Sequence, residues 1–244
     1  MIEVMALVVY VTAVVVVGIK LYFRADEWLA KVDRVLPETS TGKAAVYAVL
    51  AMLTAGVLEV AVMYALGDSQ LLLAIALPLG VGLIEEGAKL IPYFLKGGDT
   101  LRRWRFTIKV ALVFAIAEAL LYGIVMLASG NLLGAALRVI VVMFHVTFTA
   151  IALASALRGS PIGGYLKASI LHGLYDAPIF SILTENTVLI VLMTLLGFGA
   201  VVYTYLQVDD AFGTVHRFGE RAIEERKKKA KEFWEERGIE ITWS

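Results

Sequence analysis

Glu85 and Glu86 stand side by side with Lys89 one turn on, directly after the apolar run Leu71–Leu79. Charge inside hydrocarbon costs several kcal/mol per group, so it persists where it is paired, hydrated or used. Four more ionisable residues lie in comparably apolar surroundings: Glu118, His145, His172 and Asp176. Spacing is helical within the sets. Glu85 and Lys89 are four apart, Glu86 and Lys89 three apart, and His172 and Asp176 four apart, so each set shares a helix face. Carboxylates beside imidazoles suit proton transfer: a glutamate can take a proton from water while a histidine donates to a developing oxyanion. The same groups also suit a divalent metal such as zinc, with Glu118, His145, His172 and Asp176 as candidate ligands. No His-Glu-x-x-His helix is present, and both versions stand. Cysteine is absent, which removes thiolate catalysis, thiolate metal sites and disulfides. Ser155 and Ser169 have no matching serine–histidine motif.

These residues need elements that hold them in lipid. The 244 residues are 59% hydrophobic with zero formal net charge, and the mean hydropathy is +0.79. Soluble domains run at about 45–50% apolar, so the composition indicates a membrane protein and argues against nucleic acid as a partner. Seven apolar stretches are long enough to be read as spanning helices: 4–23, 44–66, 71–95, 106–128, 132–157, 165–183 and 188–208. The sixth is the least hydrophobic. The expected fold is therefore an all-α polytopic membrane protein, a seven-helix transmembrane domain over residues 1–208. A charged helical tail, 209–244, follows, read as a solvated helix with i,i+4 ion pairs or as a membrane-surface helix. The first stretch has no basic residue before it and no small-residue cleavage site after it, and reads as a retained span. Gly67-Asp68-Ser69 and Ser129-Gly130-Asn131 read as tight turns, 24–43 as a polar link, and 158–164 as a third turn.

Segments 24–43, 96–105, 158–164 and the tail carry lysine or arginine, whereas 67–70, 129–131 and 184–187 carry none. That alternation predicts the N-terminus outside and the C-terminus in the cytoplasm of a cell membrane. Counting from the basic ends at about 1.5 Å per residue puts Glu85 roughly 15 Å deep and Glu118 and His145 roughly 18 Å. His172 and Asp176 come out at roughly 10 and 17 Å. Four spans thus carry ionisable groups in one slab, which permits a single site. Other readings compete for each group. Glu85 and Lys89 alone would make a buried ion pair, which leaves Glu86 unexplained. His145 alone would be a packing histidine. Glu118 has no partner in its own span and needs one from another helix, most simply a histidine of this set. Glu59 reads as structural or interfacial, and His216 as a surface residue of the tail. Glycines Gly80, Gly82 and Gly87 allow close approach of a neighbouring helix or a substrate backbone.

Glu85-Glu86-x-x-Lys89, Phe114-x-x-x-Glu118, an intramembrane His145 and His172-x-x-x-Asp176 resemble the signatures of the PrsW family of intramembrane proteases. PrsW is grouped with the CAAX prenyl protease and bacteriocin-processing (CPBP) enzymes. The resemblance covers about Gly80 to Pro178, the third to sixth spans, and implies a CAAX-protease-like core there. It implies an endopeptidase that cuts membrane-anchored protein or peptide substrates in or near the bilayer. Glu85 resembles the glutamate that activates water, Glu118 stands where the CPBP pattern has a histidine, and His172 and Asp176 resemble the pair that holds the oxyanion or the water. Three departures from the CPBP form stand out: Lys89 for a later arginine, Glu118 for histidine, and the added His145. The alternatives are a non-catalytic scaffold similar to the gamma-secretase APH subunit, which shares the implied fold, and a proton- or ion-coupled transporter. Against the transporter, no inverted repeat of hydropathy is visible.

Overall fold

The computed structural model describes residues 1–67 and 69–237; Asp68 of the expected turn and the last seven residues of the tail, 238–244, lie outside the described residues. Among the described residues seven helices follow one another: α1 (Ile2–Val35), α2 (Thr41–Leu66), α3 (Gln70–Leu95), α4 (Thr100–Ala128), α5 (Leu132–Leu157), α6 (Pro161–Ile182) and α7 (Thr187–Glu235). Six of them, all but α6, are long and apolar enough to cross a membrane. No strand occurs among the described residues. Side chains cap several starts. Ser40 accepts from the Lys43 amide, Asp99 from Arg102, Asn131 from Gly134, and Asn186 from Val188 and Leu189. Each cap satisfies an amide that the first helical turn leaves unpaired.

The ends of the helices correct the expected boundaries. The polar link 24–43 is helical as far as Val35, because its apolar residues Ala25, Trp28, Leu29 and Val32 fall on one face against α7. The basic loop 96–105 is mostly the first turns of α4, begun by the Asp99 cap. The turn 158–164 shortens to Arg158–Ser160, since Pro161 already opens α6. The tail is no separate helix: α7 runs unbroken from Thr187 to Glu235, and its Ala211, Phe212 and Val215 belong to the same core as the spans. His216 accordingly is not a bare surface residue; it packs edge-on to Trp28 and pairs with Glu220 at 3.3 Å.

Within the bundle, α2, α3, α6, α5 and α4 form a closed ring, and α1 and α7 pair with each other against α5. α3 packs most extensively on α6. Two glycines allow this crossing. A Cβ on Gly82 would lie 2.3 Å from the Ser169 carbonyl oxygen, and one on Gly173 would lie 2.7 Å from that of Pro78. α6 packs on α3, α5 and α7 and buries much of its surface against them, which lets it be the one helix not long and apolar enough to cross a membrane by composition. Pro178 deprives the Leu174 carbonyl of its amide donor, and Gly197 of α7 packs there, its would-be Cβ 2.6 Å from Pro178.

All the basic connecting segments meet at one end of the bundle. Arg24 bonds Asp209, Arg105 bonds the Leu36 carbonyl, Lys109 bonds the Thr39 carbonyl, and Arg158 bonds Asp210. The guanidinium of Arg24 holds the Asp209 carboxyl below the usual carboxylate range, and Arg158 does the same for Asp210. The connections near 67–70, 129–131 and 183–186 lie at the opposite end.

Candidate functional site

Inside the five-helix ring, the structure brings together all seven singled-out residues: Glu85, Glu86 and Lys89 from α3, Glu118 from α4, His145 from α5, His172 and Asp176 from α6. Lys89 is fully buried at the centre. Its ammonium lies 2.7 Å from Glu86 Oε1, 3.3 Å from Glu85 Oε2 and 3.1 Å from His145 Nδ1. An ammonium can only donate, so His145 Nδ1 accepts and the ring hydrogen sits on Nε2. That nitrogen faces Glu118 Oε2 at 3.1 Å. The inter-helix partner that Glu118 needs is thus His145. Phe114 lies beneath the ammonium at 4.9 Å, and Phe148 stacks on the His172 ring with centroids 5.2 Å apart.

The two adjacent glutamates are held differently. Glu86 is fully buried and hydrogen-bonded on both oxygens. Its Oε1 receives Lys89 and His172 Nδ1, the latter at 3.0 Å, and its Oε2 receives the Thr149 hydroxyl at 3.0 Å. Glu85 Oε2 has no hydrogen-bond partner among the described residues, although buried. His172 Nε2 and Glu118 Oε2 are in the same condition. His172 Nε2 lies 3.2 Å from Asp176 and 3.7 Å from Glu85 Oε2, hydrogen-bonded to neither. Buried polar atoms left in this way cost roughly 1–3 kcal/mol each.

A divalent ion is the other guest to test. Glu85, His145 and His172 offer ligand atoms within 4.8 Å of one another. Glu118 and Asp176 are not in that set, so it differs from the four ligands drawn from the sequence. The separations, 3.6 and 3.7 Å from Glu85 Oε2 to the two rings, resemble the roughly 3.4 Å edges of tetrahedral zinc. The charge does not fit. Lys89 hydrogen-bonds one of the three ligand atoms and lies 3.3 Å from another, so a dication there would meet an ammonium. The donor set suits a neutral water better.

Exposure grades across the site. The side chains of Lys89, Glu86 and His172 are at most 1% exposed, Glu118 is 14%, Asp176 20% and Arg138 21%. The more open residues are those nearer the end with the non-basic connections, so the site opens that way. Towards the basic end, Leu90, Tyr93, Trp104, Phe148 and Ile151 close it. Two residues in contact with the site escape a reading of the sequence. Thr149 is an unremarkable hydroxyl in an apolar span; Arg138, near the start of α5, reads as an interfacial charge. Arg138 stands 3.7 Å from Glu118 and over the Tyr122 ring at 4.4 Å. The polar spacing of Arg138 and His145, seven apart, was the available signal. Glu59 of α2 leaves Oε1 buried without a hydrogen bond and lies within electrostatic reach of Glu85, His172 and Asp176.

No protein-family model, no curated protein and no solved structure matches this chain. What the site can do rests on its own geometry.

Proposed function

We propose that this chain is an intramembrane endopeptidase of the PrsW type, with a CAAX-protease-like core in α3–α6, hydrolysing a peptide bond of membrane-anchored substrates without a metal. The observation that carries this is the pair Glu85 Oε2 and His172 Nε2. Both are buried without a hydrogen bond among the described residues and stand side by side, 3.7 Å apart, so a water that bonds to them from the substrate side satisfies both. Glu85 takes a proton from that water as its oxygen attacks the substrate carbonyl. His172 Nε2, backed by Glu86 on its other nitrogen and by Asp176, donates to the oxyanion. As the C–N bond breaks, Glu85 returns its proton to the leaving amine, giving a carboxylate and a free amine. Lys89 and Glu118 hold His145 and keep the wall charged and rigid. The basic end is assigned to the cytoplasm, so the N-terminus lies outside and the mouth faces outwards.

The polar groups end at an apolar plug rather than line a path through the bundle, which favours hydrolysis over transport. A scaffold similar to the APH subunit has no use for a second buried carboxylate beside Glu86. The deciding experiment reconstitutes wild type and Glu85→Gln with a panel of single-span substrates, with and without chelator. Cleavage by the wild type that survives chelation and is lost in the variant is the expected result. A wild type that never cuts, or a variant that cuts equally well, ends the protease reading; loss of activity on chelation ends its metal-free form alone.

A further inference from the structure

The mechanism above leaves Arg138 without a task. It stands six residues into α5, roughly 9 Å from that helix's outer end. Its one ion pair is a single 3.7 Å contact to Glu118, and it makes no hydrogen bond among the described residues. A guanidinium carries five donors in a planar fork, and leaving it idle at membrane depth is expensive. Nor does the side chain reach away from the protein: its guanidinium lies over Tyr122 of α4, next to Glu118, on the open side of the site. The other oxygen of Glu118 faces His145 Nε2 at 3.1 Å. The fork is therefore held in place by an aromatic face and one long contact, with most of its donors unspent.

We propose that Arg138 is a substrate-binding and specificity residue that takes a carboxylate of the substrate. A guanidinium pairs with a carboxylate through two parallel hydrogen bonds, a match no other side chain offers as well. The register follows from the helix. Arg138 is seven residues from His145, about 10 Å along α5; the His145 ring lies 4.8 Å from that of His172, the oxyanion donor, and an extended peptide covers the 10 Å in about three residues. The recognised group is the side chain of an aspartate or glutamate, or a free C-terminal carboxylate, about three residues from the scissile bond on the mouth side. This inference rests on the protease reading.

The test uses full-length protein in nanodiscs and single-span substrates in matched pairs. One pair has glutamate or glutamine two to four residues from the cut on the mouth side. A second pair ends there as a free carboxylate or as an amide, which separates the two sources. Wild type should favour the carboxylate member of at least one pair by about tenfold or more in kcat/KM. Arg138→Gln should bring that ratio close to one, and Arg138→Lys should keep part of it; thermal midpoints check that each variant folds. Equal cleavage of both members by wild type overturns the proposal, as does an Arg138→Gln variant that slows both members equally, the mark of a mere partner for Glu118. Binding in the Glu85→Gln background gives a readout without turnover. Equal affinity for the two members overturns the proposal whatever the cleavage shows, whereas a carboxylate preference lost in the double variant supports it even if the protease reading fails.

Discussion

The Thr149 hydroxyl donates to Glu86 Oε2 at 3.0 Å, linking α5 to α3 across 63 positions of sequence. With Lys89 and His172 on the other oxygen, it engages both oxygens of Glu86. The neighbouring Glu85 keeps Oε2 without a hydrogen bond among the described residues. Two residues of the same type, adjacent in sequence, therefore take different parts: Glu85 serves the water and Glu86 fixes the groups around it.

That difference makes a kinetic prediction. Glu85→Gln should lower kcat by about 10²–10⁴, the usual contribution of a general base, with the thermal midpoint little changed. Thr149→Val strands one carboxylate oxygen, a loss of roughly 1–3 kcal/mol. It should lower kcat about tenfold with KM nearly constant, and Thr149→Ser should restore most of the rate. Equal, large effects of Thr149→Val and Thr149→Ser on folding alone would show that the hydroxyl merely packs.

The α3–α6 crossing sets a packing test. An alanine at Gly82 would put its Cβ 2.3 Å from the Ser169 carbonyl oxygen, against backbone that cannot swing aside. Gly82→Ala should cost roughly 1–3 kcal/mol or more and separate Glu86 from His172. Gly56→Ala, with nothing within 4 Å of the new methyl, is the control and should leave the thermal midpoint within a degree or two. Matching midpoints for the two variants would contradict the close crossing.

The absence of native cysteine allows a direct measurement of orientation. Ser129→Cys lies at the end with the non-basic connections and Ser160→Cys at the basic end. In intact cells, a membrane-impermeant thiol reagent should label the first and reach the second only after permeabilisation. The reverse pattern inverts the bundle and turns the mouth of the site to the cytoplasm.

At the basic end, Asp209 accepts Arg24 Nε and the Trp28 indole, each at 2.7 Å, and Asp210 accepts Arg158. Both carboxyls are depressed by their arginines. A carboxyl lowered in the fold contributes stability that is present above its unfolded value, about pH 3.9, and lost as pH falls through the folded value. Stability measured in detergent should therefore drop below about pH 4 on account of these pairs. The double variant Asp209→Asn, Asp210→Asn should flatten that part of the acid limb. Each pair is about half exposed, so its share is under about 1 kcal/mol. An unchanged acid limb would show that neither pair, Arg24–Asp209 between α1 and α7 nor Arg158–Asp210 between the end of α5 and α7, contributes to stability.

Much of this protein is decided locally. Runs of about twenty apolar residues can satisfy their backbone in lipid only as helices, so the spans follow from composition and length. The i,i+3 and i,i+4 spacings put Glu86, Glu85 and Lys89 on one face, and His172 with Asp176 on another, whatever surrounds them. Counting the rise per residue places the groups at one depth. Depth, however, says nothing about order in the membrane plane. Which helix lies beside which depends on side chains hundreds of ångströms apart along the extended chain, above all on Gly82 and Gly173 meeting across α3 and α6. Only the tertiary structure sets Glu118 against His145, and only it brings Arg138 and Thr149, a hydroxyl whose residue type carries no signal, to the same site. It also joins the tail to α7, because a helix ends where packing and caps end it, and charge on the exposed side does not stop it. The division of labour between Glu85 and Glu86 is decided there too. Their sequence neighbours are the same, and their spatial neighbours are not.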